Sequence, residues 1–139
     1  MPVGLEHPQQ LVKISGIRLS ADSAKIYSKK RNDIALIEIS PGSVTSAAFT
    51  RNYFCAAPVK ISKNNLKKSE PYFCLINAGN ANAGTGQSGL ENSQATCMAL
   101  ANITNCKEYE VLPFSTGVIG EDLPVKKINK KLPDLVKNL

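Results

Sequence analysis

Hydrophobic and polar residues alternate in some segments of the chain and cluster in others, which predicts a sheet built from several strands. Val12–Leu19 alternates in the way expected of a half-buried strand or one arm of a hairpin. Asp33–Ser40 is almost continuously apolar, so it predicts a strand covered on both faces and ended by Pro41-Gly42. Tyr72–Ile76 predicts a further buried strand, and Tyr109–Phe114 predicts another strand.

Two other segments have their apolar residues at helical spacing. Gly89–Ile103 is the stronger helix, and Val125–Leu139 carries an apolar stripe that Pro133 should kink or divide. Ser62–Glu70 is polar and lysine-rich and predicts a connection, whereas Ala47–Pro58 suits either a strand or a short helix. The elements together predict a mixed fold of the α/β or α+β class.

Composition places the chain among ordinary globular proteins. It has 139 residues, 42% of them apolar and 20% charged, which predicts one domain with a substantial core. The net charge of +6 comes from lysine clusters without interleaved aromatic residues, so we expect a solvated basic surface and no nucleic-acid partner. Attraction of acidic small substrates or of an acidic partner chain stays open.

Neither a membrane span nor a secretory signal is predicted. No run of 18 apolar residues occurs, and the first residues have neither a basic nor an apolar region of the kind that directs secretion. We therefore expect a cytoplasmic protein.

The cysteines give no sign of a metal site. Cys55, Cys74, Cys97 and Cys106 form no C-x-x-C pair, and His7, the one histidine, is far from them in sequence. We expect no bound metal. The first three cysteines have apolar neighbours and are predicted to be reduced core residues.

A glycine-rich segment between the third strand and the first strong helix resembles a dinucleotide-binding motif. Gly84-x-Gly86-x-x-Gly89 matches the fingerprint, but seven residues, Asn77 to Ala83, separate it from the predicted strand. In a dinucleotide-binding fold the first glycine follows the strand directly. A nucleotide-binding module that uses Gly84–Gly89 is therefore kept only as an alternative.

A structural role is the simpler interpretation of this segment. Ser88 lies in a near match to a nucleophile elbow, but no histidine follows it, so we predict a helix N-cap with Glu91 completing a capping box. The small residues predict a tight loop that passes close to another backbone. The side-chain amides of Asn77, Asn80 and Asn82 would then satisfy backbone groups in the loop.

The candidate chemistry lies in Ser115-Thr116-Gly117-Val118-Ile119-Gly120, directly after the predicted strand that ends at Phe114. This segment presents hydroxyl groups and unobstructed backbone N–H groups, which are suitable donors for an oxyanion formed during acyl transfer. A strand-ending turn in which Thr116 caps the backbone is the alternative. No nucleophile or general base lies near the segment in sequence.

Several segments together resemble a known family. Residues 77–86 (Asn-Ala-Gly-Asn-Ala-Asn-Ala-Gly-Thr-Gly), 115–120 followed by Leu-Pro, 49–52 (Phe-Thr-Arg-Asn), 56–59 (Ala-Ala-Pro-Val) and 31–36 (Arg-Asn-Asp-Ile-Ala-Leu) carry the resemblance. Taken in chain order, they are similar to the N-terminal part of the bifunctional ornithine acetyltransferases, or glutamate N-acetyltransferases, of arginine biosynthesis. Arg51, Ala78 and Gly84 depart from residues that are common in the family.

The resemblance implies a specific mechanism. Family members cut themselves before a threonine, which becomes the N-terminal nucleophile of a β chain and carries acetyl from N-acetylornithine or acetyl-CoA to glutamate. Carried over, Thr116 and Gly117 form the oxyanion hole, and no cofactor is required beyond acetyl-CoA as a substrate. The implied fold is a layered α-β-β-α sandwich in an α2β2 assembly.

The resemblance also implies that this chain holds only part of the site. The family's cleavage junction lies downstream of the Leu-Pro step, and the Ala95-Thr96 pair is upstream of the oxyanion motif within a predicted helix. We therefore predict that residues 1–139 are a single partial domain, the N-terminal portion of the α chain, without the nucleophile and inactive alone. The substrate-binding residues stay unassigned here. A non-catalytic interaction domain is the remaining alternative.

Overall fold

The structure, a computed structural model, describes residues 12–28 and 31–139, and His7 lies outside these residues. The described part contains four strands and three helices. The strands are β1 (Ile17–Asp22), β2 (Ile34–Ile39), β3 (Phe73–Asn80) and β4 (Val111–Val118), and the helices are α1 (Ala57–Leu66), α2 (Gly86–Thr104) and α3 (Val125–Lys137). A short 3₁₀ turn at Glu108–Glu110 precedes β4.

The four strands form one mixed sheet in the order β1-β2-β3-β4. β1, β2 and β3 are antiparallel neighbours, whereas β3 and β4 are parallel. Parallel neighbours need a crossover connection, and α2 provides it. The predicted mixed α/β class is confirmed.

The helices cover one face of the sheet and form the core there. The register places Leu36 opposite Leu75, and both side chains are buried. The apolar stripe of α3 is confirmed, since its buried residues Ile128, Leu132 and Leu135 lie in the same core cluster. α2 contributes Leu100 and Cys97, α1 contributes Ile61, and the strands also contribute Ile34, Phe73 and Val111.

The opposite face of the sheet is apolar but only partly covered. The register pairs Leu19 with Ile37, and Ile76 with Phe114, on this face. Leu19 is 65% exposed and Phe114 is 45% exposed. The prediction that both faces of β2 are covered is therefore wrong for the described chain, because the alternate residues Ala35 and Ile37 are only half-buried.

Two boundaries near the start of the chain differ from prediction. β1 begins at Ile17 after a turn at Ser15-Gly16, so the alternating Val12–Leu19 segment is a strand only at its end. The open choice for Ala47–Pro58 is resolved as irregular chain that enters α1 at Ala57.

The predicted connection Ser62–Glu70 is wrong in its first half, which belongs to α1. Pro58 lies in the first turn of α1, where a missing N–H costs no helical hydrogen bond. The polar residues Ser62 and Asn65 are buried because their side chains bond to β4, so polarity gave a misleading signal here.

Pro133 does not divide α3, which is continuous from Val125 to Lys137. A proline inside a helix costs about 3 kcal/mol. Leu132 and Leu135, on either side of Pro133, are both fully buried in the core. Burial of two leucines is worth roughly 3–6 kcal/mol, so tertiary packing outweighs the local penalty.

The basic residues of α3 lie at the surface, as a solvated basic face requires. Lys126, Lys127 and Lys130 are exposed. Lys131 pairs with Asp22 across to β1 at 2.9 Å, and this ammonium group lowers the pKa of the Asp22 carboxyl. In residues 12–28 and 31–139, every helix falls short of the length or the apolar character needed to cross a membrane.

At the carboxyl ends of β3 and β4, the backbone of β3 occupies the place that a side chain at Gly117 would need. Gly79 lies opposite Gly117, with φ of +105° and +135° respectively. A Cβ atom on Gly117 would overlap the carbonyl carbon of Gly79 and the amide nitrogen of Asn80. The predicted close approach of a small-residue loop to another backbone is confirmed.

Gly117→Ala should therefore destabilise the protein more than Gly120→Ala. Both glycines have positive φ, but a Cβ at Gly120 meets nothing within 4 Å. We expect about 1–2 kcal/mol of lost unfolding free energy for Gly120→Ala, from backbone strain alone. Overlap with the neighbouring strand should raise the loss to about 4 kcal/mol for Gly117→Ala. Denaturant unfolding measures both, and equal losses would contradict the close approach.

Candidate functional site

The oxyanion candidates lie inside a strand rather than after it. β4 continues to Val118, so the predicted end at Phe114 is four residues too early. Thr116 and Gly117 are exposed near the carboxyl end of β4. Ser115 is half-buried, and its hydroxyl donates a 2.6 Å hydrogen bond to Oδ1 of Asn77 on β3.

β4 is an edge strand whose outer side is closed only in its first half. The Ser62 hydroxyl donates to the carbonyl of Pro113 at 2.8 Å, and Asn65 Nδ2 donates to the carbonyl of Val111 at 2.9 Å. Pro113 has no N–H to offer at this edge. Helix α1 thus satisfies the outward backbone groups of β4 up to Pro113.

The second half of β4 leaves an N–H group directed outward. Backbone groups of alternate residues point to opposite sides of a strand, so those of Ser115 and Gly117 point to the same side as those of Val111 and Pro113, away from β3. Thr116, by contrast, pairs with Ala78 and Asn80 of β3. The site therefore combines an outward Gly117 N–H with an exposed Thr116 side chain at an open edge.

A cavity of about 300 Å³ borders this edge. Its lining includes Ala56, Val59, Ser62, Phe114 and Ser115, and among the described residues none that lines it is charged. On β4 the lining extends to Ser115, one residue before Thr116.

Three asparagines organise the loop between β3 and α2. Asn77 Nδ2 donates to the carbonyl of Asn80 at 2.8 Å, and Oδ1 of Asn80 accepts the N–H of Asn82 at 2.8 Å. Asn82 Nδ2 donates to the carbonyl of Gly89 and to the Ser93 hydroxyl, both at 2.9 Å. All three asparagines are buried. The prediction that their side chains satisfy the backbone of this loop is confirmed.

The prediction for Ser88 is wrong. Helix α2 begins at Gly86 with Thr85 as its N-cap residue, so Ser88 lies in the first turn. The Ser88 hydroxyl donates to the carbonyl of Thr85 at 2.8 Å, and Glu91 accepts a hydrogen bond from Gln87 instead of completing a capping box. The chain turns at Gly84, which has a φ of +72°, and enters α2 at Gly86. The helix therefore begins earlier than an N-cap at Ser88 predicts.

The glycine fingerprint has a packing explanation. β3 runs to Asn80, so three residues rather than the predicted seven precede Gly84. A Cβ at Gly89 would overlap the side chains of Thr85 and Asn82, which fill the space beside the first turn of α2. Gly89 is therefore required by the protein's own side chains, which favours the structural interpretation of the motif.

Cys74, Cys97 and Cys106 lack the properties of activated nucleophiles. All four cysteines are free thiols. Burial raises the pKa of Cys97 to about 12, and it also raises the pKa of Cys74 and Cys106. A raised pKa disfavours the thiolate, which is the reactive form. Among the described residues, no group of three or more His, Cys, Asp or Glu side chains could hold a metal ion.

Comparisons with known proteins agree on one family. The ArgJ family matches residues 18–139. The chain is 48% identical over 124 residues to the arginine biosynthesis bifunctional protein ArgJ of Methylococcus capsulatus, covering 89% of this chain and 30% of the relative. It is 43% identical over 139 residues to the ArgJ protein of Pseudomonas syringae pv. tomato, covering 100% of this chain and 34% of the relative.

Solved structures show the same fold. The crystal structure of ornithine acetyltransferase from Mycobacterium tuberculosis, in complex with ornithine, matches with a TM-score of 0.83 and 31% identity, over 88% of this chain and 67% of that one. The ArgJ structure from Bacillus halodurans matches with a TM-score of 0.80 and 28% identity, over 85% of this chain and 62% of that one.

The predicted family resemblance is thereby confirmed, and the match covers most of the chain. The chain spans about a third of the length of the curated relatives it matches. It belongs to the ArgJ family of bifunctional ornithine acetyltransferases.

Proposed function

We propose that this chain forms part of an enzyme that transfers acetyl from N-acetylornithine to glutamate, with Thr116 and Gly117 as its oxyanion hole. The observation that carries the proposal is the exposed Thr116 beside the outward N–H of Gly117 at the open edge of β4. A hydroxyl and a backbone N–H are neutral donors that need no adjustment of protonation. Family membership supports the reaction class.

The covalent chemistry requires a nucleophile on a second polypeptide. The hydroxyl of an N-terminal threonine attacks the acetyl carbonyl carbon, and the threonine's own α-amine accepts the hydroxyl proton. The carbonyl oxygen gains negative charge, and the donors of Thr116 and Gly117 stabilise it. Collapse of the tetrahedral intermediate breaks the bond to ornithine, whose amine takes the proton. The glutamate α-amine then attacks acetyl-threonine, and the restored threonine regains its hydroxyl proton.

Acetyl-CoA would enter the same cycle as an alternative acetyl donor. Its thioester carbonyl would meet the same two hydrogen-bond donors, and the coenzyme A thiol would leave in place of ornithine. No cofactor is needed in either case.

The exposed face of the sheet suggests how the remainder of the enzyme is assembled. Leu19, Ile37, Ile76 and Phe114 form an apolar layer that helices leave open. Exposed apolar surface of this kind marks an interaction site. We propose that residues 1–139 are a partial α-chain domain and that a second sheet packs on this layer. The result is an α-β-β-α sandwich in a cytoplasmic α2β2 enzyme.

Thr116→Ala in the complete enzyme should lower kcat by roughly 10²–10³-fold, the usual cost of removing one oxyanion donor. Thr116→Ser keeps the hydroxyl and should retain activity within about tenfold of the wild type. Steady-state assays of ornithine release from N-acetylornithine and glutamate measure both. A Thr116→Ala turnover within twofold of wild type would remove Thr116 from the oxyanion hole.

Leu19→Glu should impair assembly of the complete enzyme more than Met98→Glu does. Leu19 is 65% exposed on the open sheet face, and Met98 is 50% exposed on α2. Only the first would become buried under a second sheet, where an unpaired carboxylate is strongly disfavoured. Co-purification of the two polypeptides and their elution volume measure assembly. Equal effects of the two substitutions would contradict the proposed layer.

A further inference from the structure

Asn80 connects both sides of the candidate oxyanion segment. Its side chain is 3% exposed, and Nδ2 donates to the carbonyls of Glu121 and Asp122, each at 3.1 Å. These two carbonyls belong to the loop that follows Gly117. The backbone of Asn80 pairs with Thr116 and Val118 in the sheet register. Asn80 therefore contacts the chain immediately before and shortly after Gly117.

The neighbours of Asn80 strengthen this attachment. The N–H of Ala81 donates to the carbonyl of Val118, and the N–H of Gly120 donates to the carbonyl of Ala83, both at 2.8 Å. Oδ1 of Asn80 accepts the N–H of Asn82, whose own side chain binds α2. The loop after Gly117 is thereby joined to the first turn of a long helix.

A hydrogen-bond donor that is exposed at the end of a strand needs such contacts to keep its position. Gly117 has a φ of +135°, and a Cβ at this position would overlap Gly79 and Asn80. Gly117 therefore packs directly against the backbone of Asn80. Oxyanion donors act over about 2.7–3.1 Å, and a misplacement of about 1 Å can cost roughly 10²-fold in rate.

We infer that Asn80 is a positioning residue that fixes the position of the Gly117 N–H and the Thr116 hydroxyl through the loop at residues 119–122. This inference rests on the proposed function, because it assigns Asn80 a role in the same oxyanion hole. Asn80 touches no reacting atom in this role. Its two amide donors restrict the backbone that carries the hydrogen-bond donors of the site.

Asn65 of α1 provides a matched control, because it bonds to the other end of β4. It is also buried, at 8% exposed, and its Nδ2 also donates to two carbonyls, those of Val111 at 2.9 Å and Glu108 at 3.4 Å. These carbonyls lie at the opposite end of β4 from Gly117. A carboxylate substitution at either asparagine removes the two donors while keeping the side-chain shape. A general structural effect should therefore appear in both variants.

The test compares Asn80→Asp, Asn65→Asp and Thr116→Ala in the complete enzyme. Turnover is expressed per processed polypeptide with an N-terminal threonine, counted by intact mass spectrometry, so that impaired self-cleavage does not lower the apparent kcat. Thermal unfolding is measured for each variant. We expect Asn80→Asp to lower kcat by roughly 10–100-fold with KM within about threefold, the pattern of a loss felt in the transition state. Asn65→Asp should lower the melting temperature but leave kcat within twofold.

The outcomes separate this inference from the proposed function. If Thr116→Ala is inactive while Asn80→Asp matches Asn65→Asp in kcat, the positioning role is wrong and the oxyanion hole stands. Equal losses of kcat in Asn80→Asp and Asn65→Asp also overturn the positioning role of Asn80. If Thr116→Ala retains turnover, the oxyanion assignment itself fails. Should an aspartate variant fail to fold, Asn80→Ser and Asn65→Ser repeat the comparison with a hydroxyl that keeps one donor.

Discussion

The contact between the backbones of Gly79 and Gly117 is the constraint on which the rest of the site depends. No side chain fits at Gly117 because the backbone of Gly79 and Asn80 occupies that place, and the buried amide of Asn80 bonds to the loop beyond Gly117. Thr116, which precedes Gly117, is exposed at the edge of the sheet. A steric requirement for glycine is thus linked to the placement of the proposed donors.

The two edges of the sheet differ in how many of their backbone groups are hydrogen-bonded, and the two faces differ in how well their apolar side chains are covered. α1 caps the first half of β4 through Ser62 and Asn65, and the core helices cover one face. The second half of β4 and the apolar face that carries Leu19 and Phe114 are the parts left open. Both open regions support the proposed assembly with another polypeptide, since an open strand edge can pair with another chain and an exposed apolar layer marks an interaction site.

Local pattern predicted the long periodic elements well and the polar ones poorly. The apolar stripe of α3 and the helix after Gly89 followed from spacing alone, because burial of one helical face dominates their stability. The prediction of a connection at Ser62–Glu70 was wrong because burial there does not follow the apolar pattern. Ser62 and Asn65 are polar yet buried, and their partners on β4 are about 50 residues away in sequence. The prediction for Ser88 was wrong because the preference of serine for the N-cap position takes no account of the turn that precedes the helix.

The sequence by itself determined the family and the mixed fold class and singled out Thr116 and Gly117 for the proposed oxyanion hole, because these depend on residue order and on local periodicity. Only the tertiary structure decided that Thr116 and Gly117 lie on an edge strand with the Gly117 N–H directed outward. It also decided that Asn80 holds the loop beyond them, and that one apolar face of the sheet is open. These features arise from the pairing of β3 with β4 and from packing between distant segments, which no local pattern encodes.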